Sequence, residues 1–259
     1  MAQPALFRSI TIVAALLIGG TAAAQSRAVV DVHRPAEDTA RDAARHPDAM
    51  LTFAQVKPGD TIVDMIPGHG YFTRLFAVAV KPSGHVIAIV PAQVAEHDPE
   101  APKALAAIAA NPAYGNVSVV PALSDPSVKQ IDVLWTAQNY HDLHNIMGPG
   151  AILAVNKAIY AALKPGGTFV VVDHVALAGS GDVATKTLHR IDPAMVKAEV
   201  VAAGFVFDGE SNALANPADA HDKIVFDPAI RGHTDQFMYR FKKAGLNRQL
   251  TPSCTRSRR

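Results

Sequence analysis

The sequence predicts an α/β protein with a mostly parallel sheet that is covered by helices on both faces. Short apolar segments that resemble buried strands alternate with helical patterns through most of the chain, and this alternation is typical of parallel strands joined by crossover helices. The first such segment, residues 61–66, leads into the glycine turn Pro67-Gly68-His69-Gly70. A second glycine turn, Lys164-Pro165-Gly166-Gly167, precedes another apolar strand.

Length and composition suit one large domain with a substantial core. The chain has 259 residues, of which 49% are hydrophobic, and its formal net charge is +1. A charge this close to neutral gives no reason to expect nucleic acid as a partner. The single cysteine, Cys254, cannot form an intramolecular disulfide.

Residues 1–24 have the features of a signal peptide. Arg8 provides a positive charge, residues 10–18 are apolar, and Ala22-Ala23-Ala24 provides the small residues of a cleavage site. The apolar run is shorter than the roughly 20 residues that span a bilayer. We therefore expect a periplasmic or secreted protein that is cleaved after Ala24 and is not stably inserted in a membrane. An uncleaved anchor is the alternative.

The two ends of the mature chain are predicted to lie outside the main domain. Residues 25–54 are expected to form a linker and a helical lead-in, in which Arg41 and Asp42 face solvent on a surface helix. The main domain is predicted to span residues 55–246. Residues 247–259 carry four arginines and no apolar periodicity, which indicates a disordered basic tail. A basic patch for a membrane or nucleic acid is the alternative for this tail.

The remaining strands and helices follow from apolar patterns and turn residues. Proline and glycine introduce the second strand, Asn111-Pro112 ends an alanine-rich helix, and alternating aromatic residues mark the last strand. The predicted strands are residues 85–90, 117–121, 131–135, 168–173, a sixth that begins at 203–207, and 234–242; the predicted helices include 101–110, 146–163 and 194–203. The loop at residues 208–233 is long enough to be a lid or insert over the site.

The turn after the first strand has the geometry of a ligand cradle. Where a strand passes through glycines into a helix, backbone N–H groups at the helix start point outward. Gly68 and Gly70 have no Cβ and therefore allow a ligand to lie close to the backbone. Asp64, near the end of the strand, is expected to face the crevice of the open sheet. An ordinary tight turn is the alternative.

Several polar side chains follow the fourth strand, at the edge where open α/β sheets bind ligands. We predict His141 as a general base, with Asp142 as its orienting partner, because a histidine beside a carboxylate accepts protons near neutral pH. Asp142 could instead cap the following helix. His174, at the end of the fifth strand, is a second acid/base candidate. His141 and His144 have helical spacing but no third ligand, so no metal site is predicted.

Three short motifs resemble a known family. VDMIPGHGYFT resembles the first motif of the class I S-adenosylmethionine (SAM) methyltransferases, V-x-D-x-G-x-G-x-G-Y, except that Ile66 stands in place of the first glycine. PGHGYFT, YHDLH and LKPGG together resemble a group of predicted secreted bacterial methyltransferases, over residues 35–243. The resemblance implies a three-layer αβα Rossmann-like sheet of seven strands with an antiparallel last strand. It also implies SAM as cofactor and methyl transfer to a small-molecule acceptor.

The resemblance further implies a set of cofactor-binding residues. The methionine end of SAM would meet a group at the first motif, namely Asp64, Pro67, Gly68, Gly70 and Tyr71. Gln93 stands where the family places a ribose-binding carboxylate, and the chain offers no carboxylate there before Glu96. Asp125 would meet the adenine, although Ser-Asp-Pro is also a turn sequence. Asn139, after the fourth strand, completes the set.

Two other functions remain open from the sequence. A non-catalytic exported ligand-binding protein with a degenerate methyltransferase fold would explain Ile66 and the absent ribose carboxylate. A nicotinamide-dependent oxidoreductase is disfavoured because the chain lacks GxGxxG with a downstream acid.

Overall fold

The computed structural model describes residues 20–245, in which the first helix, α1, spans residues 20–29. Most of the predicted signal peptide, residues 1–19, and the predicted basic tail with Cys254 lie outside the described residues. Within residues 20–245, no helix is both long enough and apolar enough to cross a membrane.

A seven-stranded sheet forms the centre of the molecule. Its strands run in the spatial order β3-β2-β1-β4-β5-β7-β6. Neighbouring strands from β3 to β5 are parallel, and β7 is antiparallel to both β5 and β6. The strands are β1 (Thr61–Met65), β2 (His85–Ile89), β3 (Val117–Val120), β4 (Ile131–Ala137), β5 (Leu163–His174), β6 (Val206–Ser211) and β7 (Gln236–Lys242). The predicted fold class, including the antiparallel last strand, is therefore confirmed.

Helices cover both faces of this sheet. They are α2 (Ala36–Thr39), α3 (Asp42–Arg45), α4 (Pro47–Phe53), α5 (Tyr71–Ala79), α6 (Ala92–His97), α7 (Glu100–Ala110), α8 (Tyr140–Met147), α9 (Ile152–Ala162) and α10 (Pro193–Ala202). Successive strand residues point to opposite faces, so Ile62 belongs to one hydrophobic cluster and Val63 to the other. Two buried apolar layers, one on each face of the sheet, hold the three-layer architecture together.

Two predicted helices are divided in the structure. The predicted helix at residues 146–163 is replaced by α8 and α9, because Gly148 leaves the helix at φ +77 and a 3-10 turn, Pro149–Ala151, follows. The predicted helical lead-in is likewise three short helices, α2 to α4. His46, at φ 44, separates the second from the third.

The N-terminal helix α1 packs on the core. Ala24 is 1% exposed and Ala28 is fully buried. The side-chain amide of Gln25 donates to the carbonyl oxygens of Leu51 (3.3 Å) and Val56 (3.0 Å). The predicted cleavage point after Ala24 therefore lies inside a packed helix.

The lead-in is attached to α5 by charged hydrogen bonds. Arg34 donates to Asp42 (2.8 Å), and the Tyr71 hydroxyl donates to the same carboxylate (2.6 Å). Arg74 of α5 donates to Asp38 of α2 (2.8 Å). These contacts place the lead-in over the carboxyl ends of β1 and β4, where the candidate site lies.

Candidate functional site

The main candidate site lies at the topological switch point of the sheet, between β1 and β4, where the order of the strands reverses. Strands β1 and β4 are spatial neighbours although two strands intervene in the chain, and open α/β sheets bind ligands beyond the carboxyl ends of such a pair. A cavity of about 320 Å³ opens there, and the residues after β1 and after β4 form two of its walls. The cavity is at the lower end of the range of ligand pockets, about 300–1,000 Å³.

Asp64 lies at the base of this cavity as the sequence predicts. Its side chain is 2% exposed and accepts one hydrogen bond, from the Thr73 hydroxyl of α5 (2.7 Å). Burial raises the pKa of the Asp64 carboxyl to about 7, and the Thr73 hydrogen bond and the Arg45 charge only partly oppose this rise. The site therefore holds a carboxylate that has little internal compensation for its charge.

The two glycines of the first motif have different physical roles. Gly68 has φ +56, and a Cβ there would have no atom within 4 Å, so its backbone is open to the cavity that it lines. Gly70 has φ +85, and a Cβ there would lie 2.3 Å from Ile108 Cδ1 of α7. Gly70, predicted as a cofactor contact, does not line the cavity and lies where α5 starts against α7. Pro67 lines the cavity beside Gly68.

Ile66 takes a glycine-like backbone conformation. It is 7% exposed and has φ +58, which is a rare and strained value for a β-branched residue. The resembled motif has its first glycine at this position. Asn139 holds the strained segment because its amide donates to the carbonyl oxygens of Ile66 (2.8 Å) and Ala137 (2.6 Å). Asn139 lines the cavity and joins its two walls.

Tyr71 lies among three arginines of the lead-in. The guanidinium carbons of Arg34, Arg41 and Arg45 lie 5.3, 5.3 and 4.7 Å from the centre of its ring. Arg41 is exposed, but its side chain lines the cavity. The prediction that Arg41 only faces solvent on a surface helix is therefore corrected. Burial and the neighbouring Arg41 charge lower the pKa of Arg45 to about 10.

His141 forms a buried pair with an aspartate of β5. The Nδ1 atom of His141 lies 2.8 Å from Asp173 Oδ1, and the backbone N–H of His141 donates to Asp173 Oδ2 (2.8 Å). Burial opposes a charge on the imidazole, but the Asp173 carboxylate outweighs it and raises the pKa of His141. Asp173, not Asp142, therefore holds Nδ1 and orients the ring.

The Nε2 atom of His141 has two polar neighbours at the cavity wall. His189 Nδ1 lies 3.2 Å from it and Asp142 Oδ1 lies 3.3 Å from it. Asp142 is in the first turn of α8, whose N-cap residue is Asn139, so Asp142 does not cap that helix. His189 has φ +54, a strained value for a non-glycine residue.

His174 lines the same cavity, but its pKa is shifted in the opposite direction from that of His141. Its Nδ1 atom lies 2.8 Å from the Thr234 hydroxyl, and the side chain is 8% exposed. Burial lowers the pKa of His174 to about 4, and the positive charges of His141 and Arg190 add to this effect. The ring is therefore neutral near pH 7 and can take part only as a neutral hydrogen-bonding group.

Two predicted cofactor residues do not line the cavity. Gln93 is exposed on α6, and its carbonyl oxygen accepts a hydrogen bond from His97 Nδ1 (2.8 Å). Asp125 accepts hydrogen bonds from the backbone N–H and the hydroxyl of Ser127 (2.9 and 2.6 Å). Asp125 therefore forms the turn that its sequence also predicted.

The long loop before β7 closes one side of the cavity. Val225 and Phe226 reach the cavity wall, as expected for a substrate-facing insert. Arg190 anchors this loop because it is fully buried, pairs with Asp219 (2.9 Å) and donates to the carbonyl oxygen of Lys223 (2.9 Å). Arg190 therefore has a structural role, through its ion pair with Asp219, and does not line the cavity.

The sequence analysis assigned no role to four polar residues of the site. They are Asp173, His189, Arg45 and Gln138. Asp173 stands next to a predicted candidate, and its position at a strand end was a usable signal. His189 and Arg45 come from distant segments, so no local pattern could place them beside His141 or Asp64.

Comparisons with known proteins support the fold. No protein-family model and no curated protein matches the chain. Among solved structures, a SAM-dependent methyltransferase from Aquifex aeolicus is 15% identical, with a TM-score of 0.54, 85% of this chain covered and 98% of that chain covered. The [4+2]-cyclase SpnF is 17% identical, with a TM-score of 0.56 and coverages of 78% and 82%. A SAM-dependent methyltransferase from Mesorhizobium loti is 15% identical, with a TM-score of 0.52 and coverages of 78% and 99%. At these identities the likeness concerns the fold, which is not reserved for one reaction.

Proposed function

We propose that this protein is an exported SAM-dependent methyltransferase that acts on a small-molecule acceptor. The observation that carries the proposal is the cavity at the β1/β4 switch point, where Asp64 and the open backbone of Gly68 face the same space. The methyltransferase fold of the neighbouring solved structures supports it. The signal-peptide pattern of residues 1–24 supports export.

The residues at the first motif fit the methionine end of SAM. A positively charged amino group next to Asp64 would offset the cost of burying that carboxylate, which has one hydroxyl donor of its own. Gly68 presents backbone without a side chain, so a ligand can lie against it. Pro67 and Asn139 complete the walls on either side.

The ribose end of the site departs from the resembled family. The chain has no carboxylate directly after β2, and Gln93 is exposed outside the cavity. An uncharged acceptor forms a weaker hydrogen bond than a charged one. We therefore expect SAM to be held mainly through its methionine half.

Bound SAM supplies an activated methyl group on a sulfonium, so this chain has to position the acceptor and receive its proton. His141 is suited to receive the proton, because Asp173 holds its Nδ1 side and leaves Nε2 at the cavity wall. The raised pKa of His141 makes the neutral ring a stronger base. The loop with Val225 and Phe226 limits the access of water.

The adjoining space points to an acceptor with negative charge. A second cavity of about 540 Å³ shares Arg41, Arg45 and His174 with the first. It is also lined by Arg231, and no aspartate or glutamate lines it. Within residues 20–245, none of these arginines forms an ion pair with a carboxylate within 4 Å. An anionic group would also offset the burial and the Arg41 charge, which together lower the pKa of Arg45. We therefore propose an acceptor that carries a carboxylate or phosphate group.

Calorimetry with SAM and with its demethylated product tests the cofactor assignment. We expect micromolar binding of both ligands to the wild-type protein, and loss of binding in Gly68→Leu, whose side chain would enter the cavity. Gly166→Leu is the matched control. Gly166 has φ +81 with no atom within 4 Å of a Cβ. It lies near the amino end of β5, whereas the cavity lies beyond the carboxyl ends of the strands.

The outcomes separate the two remaining functions. Equal binding by wild type and Gly68→Leu would contradict the proposed cradle. Absence of binding at millimolar ligand would refute the SAM assignment and favour the non-catalytic ligand-binding protein. A panel of acidic and neutral acceptors, assayed for methyl transfer, then tests the proposed charge. Preference for neutral acceptors, or an unchanged KM in Arg45→Gln, would contradict it.

A further inference from the structure

We propose that His141, His189 and Asp142 form a binding site for one divalent transition-metal ion at the wall of the cavity. This inference rests on the geometry of these three side chains and goes beyond the proposed methyl transfer, which does not require it. The ligand atoms would be His141 Nε2, His189 Nδ1 and Asp142 Oδ1.

The distances between the three atoms fit a common metal ligand set. His141 Nε2 lies 3.2 Å from His189 Nδ1 and 3.3 Å from Asp142 Oδ1, and the other two atoms are 3.7 Å apart. Ligands about 2.0–2.1 Å from a tetrahedral zinc ion lie roughly 3.3 Å from one another. A cation at the centre of this triangle therefore needs only small movements of the side chains.

The hydrogen bond on the far side of His141 favours a cation between these atoms. Because the Nδ1–H of His141 is directed at Asp173, Nε2 of the neutral ring carries a lone pair. That lone pair faces a carboxylate oxygen and a second imidazole nitrogen, and one N–H of His189 can satisfy only one of the two contacts. A metal ion satisfies all three lone pairs together.

Asp173 also provides the outer support that metal-binding histidines use. A ligating histidine usually donates its other N–H to a carboxylate, which fixes the ring and makes it a better ligand. Asp173 is fully buried and accepts in addition from the backbone N–H groups of His141 and His174 (both 2.8 Å). The His141 ring is therefore already fixed in the orientation that a metal requires.

The arrangement is open on the cavity side. His141 is buried, whereas the side chains of Asp142 and His189 are 33% and 29% exposed. Three protein ligands with a free position are typical of sites where the ion also binds water or a substrate oxygen. Two imidazoles and one carboxylate suit zinc or iron(II) more than calcium or magnesium, which prefer oxygen ligands.

Metal binding would change how the site activates an acceptor. The lone pair of His141 Nε2 cannot both bind a cation and receive a proton. With the cation present, an acceptor oxygen could bind to it directly, which lowers the pKa of a hydroxyl and releases its proton to water. The cavity would thus have a Lewis acid where the proposed mechanism has a base.

Cobalt(II) titration of untagged, chelator-treated full-length protein tests the site without any cofactor. We expect one equivalent to bind at micromolar or lower concentration and to give visible absorption bands typical of coordination by nitrogen and oxygen. Zinc should displace the cobalt. His189→Asn and Asp142→Asn should each weaken binding at least 100-fold, and Asp173→Asn about 10- to 100-fold.

Two features of the design keep the result interpretable. Asparagine tolerates the positive φ of position 189 better than alanine, and thermal unfolding of each variant verifies the fold. His221→Asn is the matched control, because His221 also has a positive φ of 62, pairs with an aspartate, Asp235 (2.9 Å), and does not line the cavity. Binding in this control should equal that of wild type.

The possible results are decisive and independent of the cofactor. Absence of cobalt and zinc binding to folded wild type would overturn the proposal, as would stoichiometric binding that His189→Asn leaves unchanged. SAM calorimetry on the same samples separates the two ideas. SAM binding without metal binding refutes only the metal site, and metal binding without SAM binding refutes only the methyltransferase assignment.

Discussion

Replacing Asp64 with asparagine should remove part of the pH dependence of stability. The folded-state pKa of Asp64 is about 7, compared with 3.8 for an unperturbed carboxyl, and burial is the main cause. Between these two values the folded protein binds a proton that the unfolded chain has lost. The contribution of Asp64 to the free energy of unfolding is therefore fully present below pH 3.8 and is lost as the pH rises from there through about 7.

The size of the effect follows from the two pKa values. Each pKa unit corresponds to about 1.36 kcal/mol, so the ionisation of Asp64 costs the folded state about 4 kcal/mol at pH 8 compared with pH 4. Asparagine resembles the neutral carboxylic acid in shape and can still accept from the Thr73 hydroxyl. The Asp64→Asn protein should not show this component of the decrease.

Urea unfolding of both proteins between pH 4 and pH 8 measures the difference. Other titrating groups contribute almost equally to both proteins, so the difference in the free energy of unfolding isolates Asp64. We expect Asp64→Asn to be of similar stability or slightly less stable at pH 4 and more stable by several kcal/mol at pH 8. A difference that stays constant over this range would refute the proposed burial cost.

Three further substitutions test the backbone and the lead-in. Gly70→Ala should destabilise the protein by about 2–4 kcal/mol in chemical denaturation, because a Cβ at φ +85 would meet the side chain at position 108; a loss below about 1 kcal/mol would contradict this. Ile66→Gly should cost less than about 2 kcal/mol of stability because it relieves backbone strain. Ile62 is fully buried in β1, so Ile62→Gly should cost more than about 4 kcal/mol. Equal losses in the two variants would show that Ile66 is not strained. Tyr71→Phe should cost about 1–2 kcal/mol by removing the hydrogen bond to Asp42, and an unchanged midpoint in urea would contradict that estimate.

The fold could be predicted because its signals are local. The strand at residues 61–66, the glycine turn that follows it and the aromatic alternation before residue 242 each specify one element, and right-handed crossovers between parallel strands leave few ways to connect them. Errors occurred where a local pattern was ambiguous. Gly148 interrupts an otherwise helical stretch, and the lead-in breaks at His46 in a left-handed conformation.

The site was only partly predictable because it is assembled from distant segments. Asp64 and His174 lie near the carboxyl ends of β1 and β5, and His141 follows β4. These strand ends meet on the same side of the sheet, so the convergence of the three residues follows from the fold. The residues that decide their chemistry are the ones that were missed. His189, for example, lies 48 positions after His141, and no periodic pattern connects them.

The burial of Ala24 sets an order of events for a chain that is processed at that residue. A peptidase needs an extended, accessible backbone, whereas the bond after Ala24 lies inside a helix whose residues 24 and 28 are almost inaccessible to solvent. Removal of the leader would therefore have to occur on the unfolded chain. The newly exposed amino terminus at Gln25 would then have to dock beside Leu51 and Val56, so cleavage would have to precede the packing of this helix on the core.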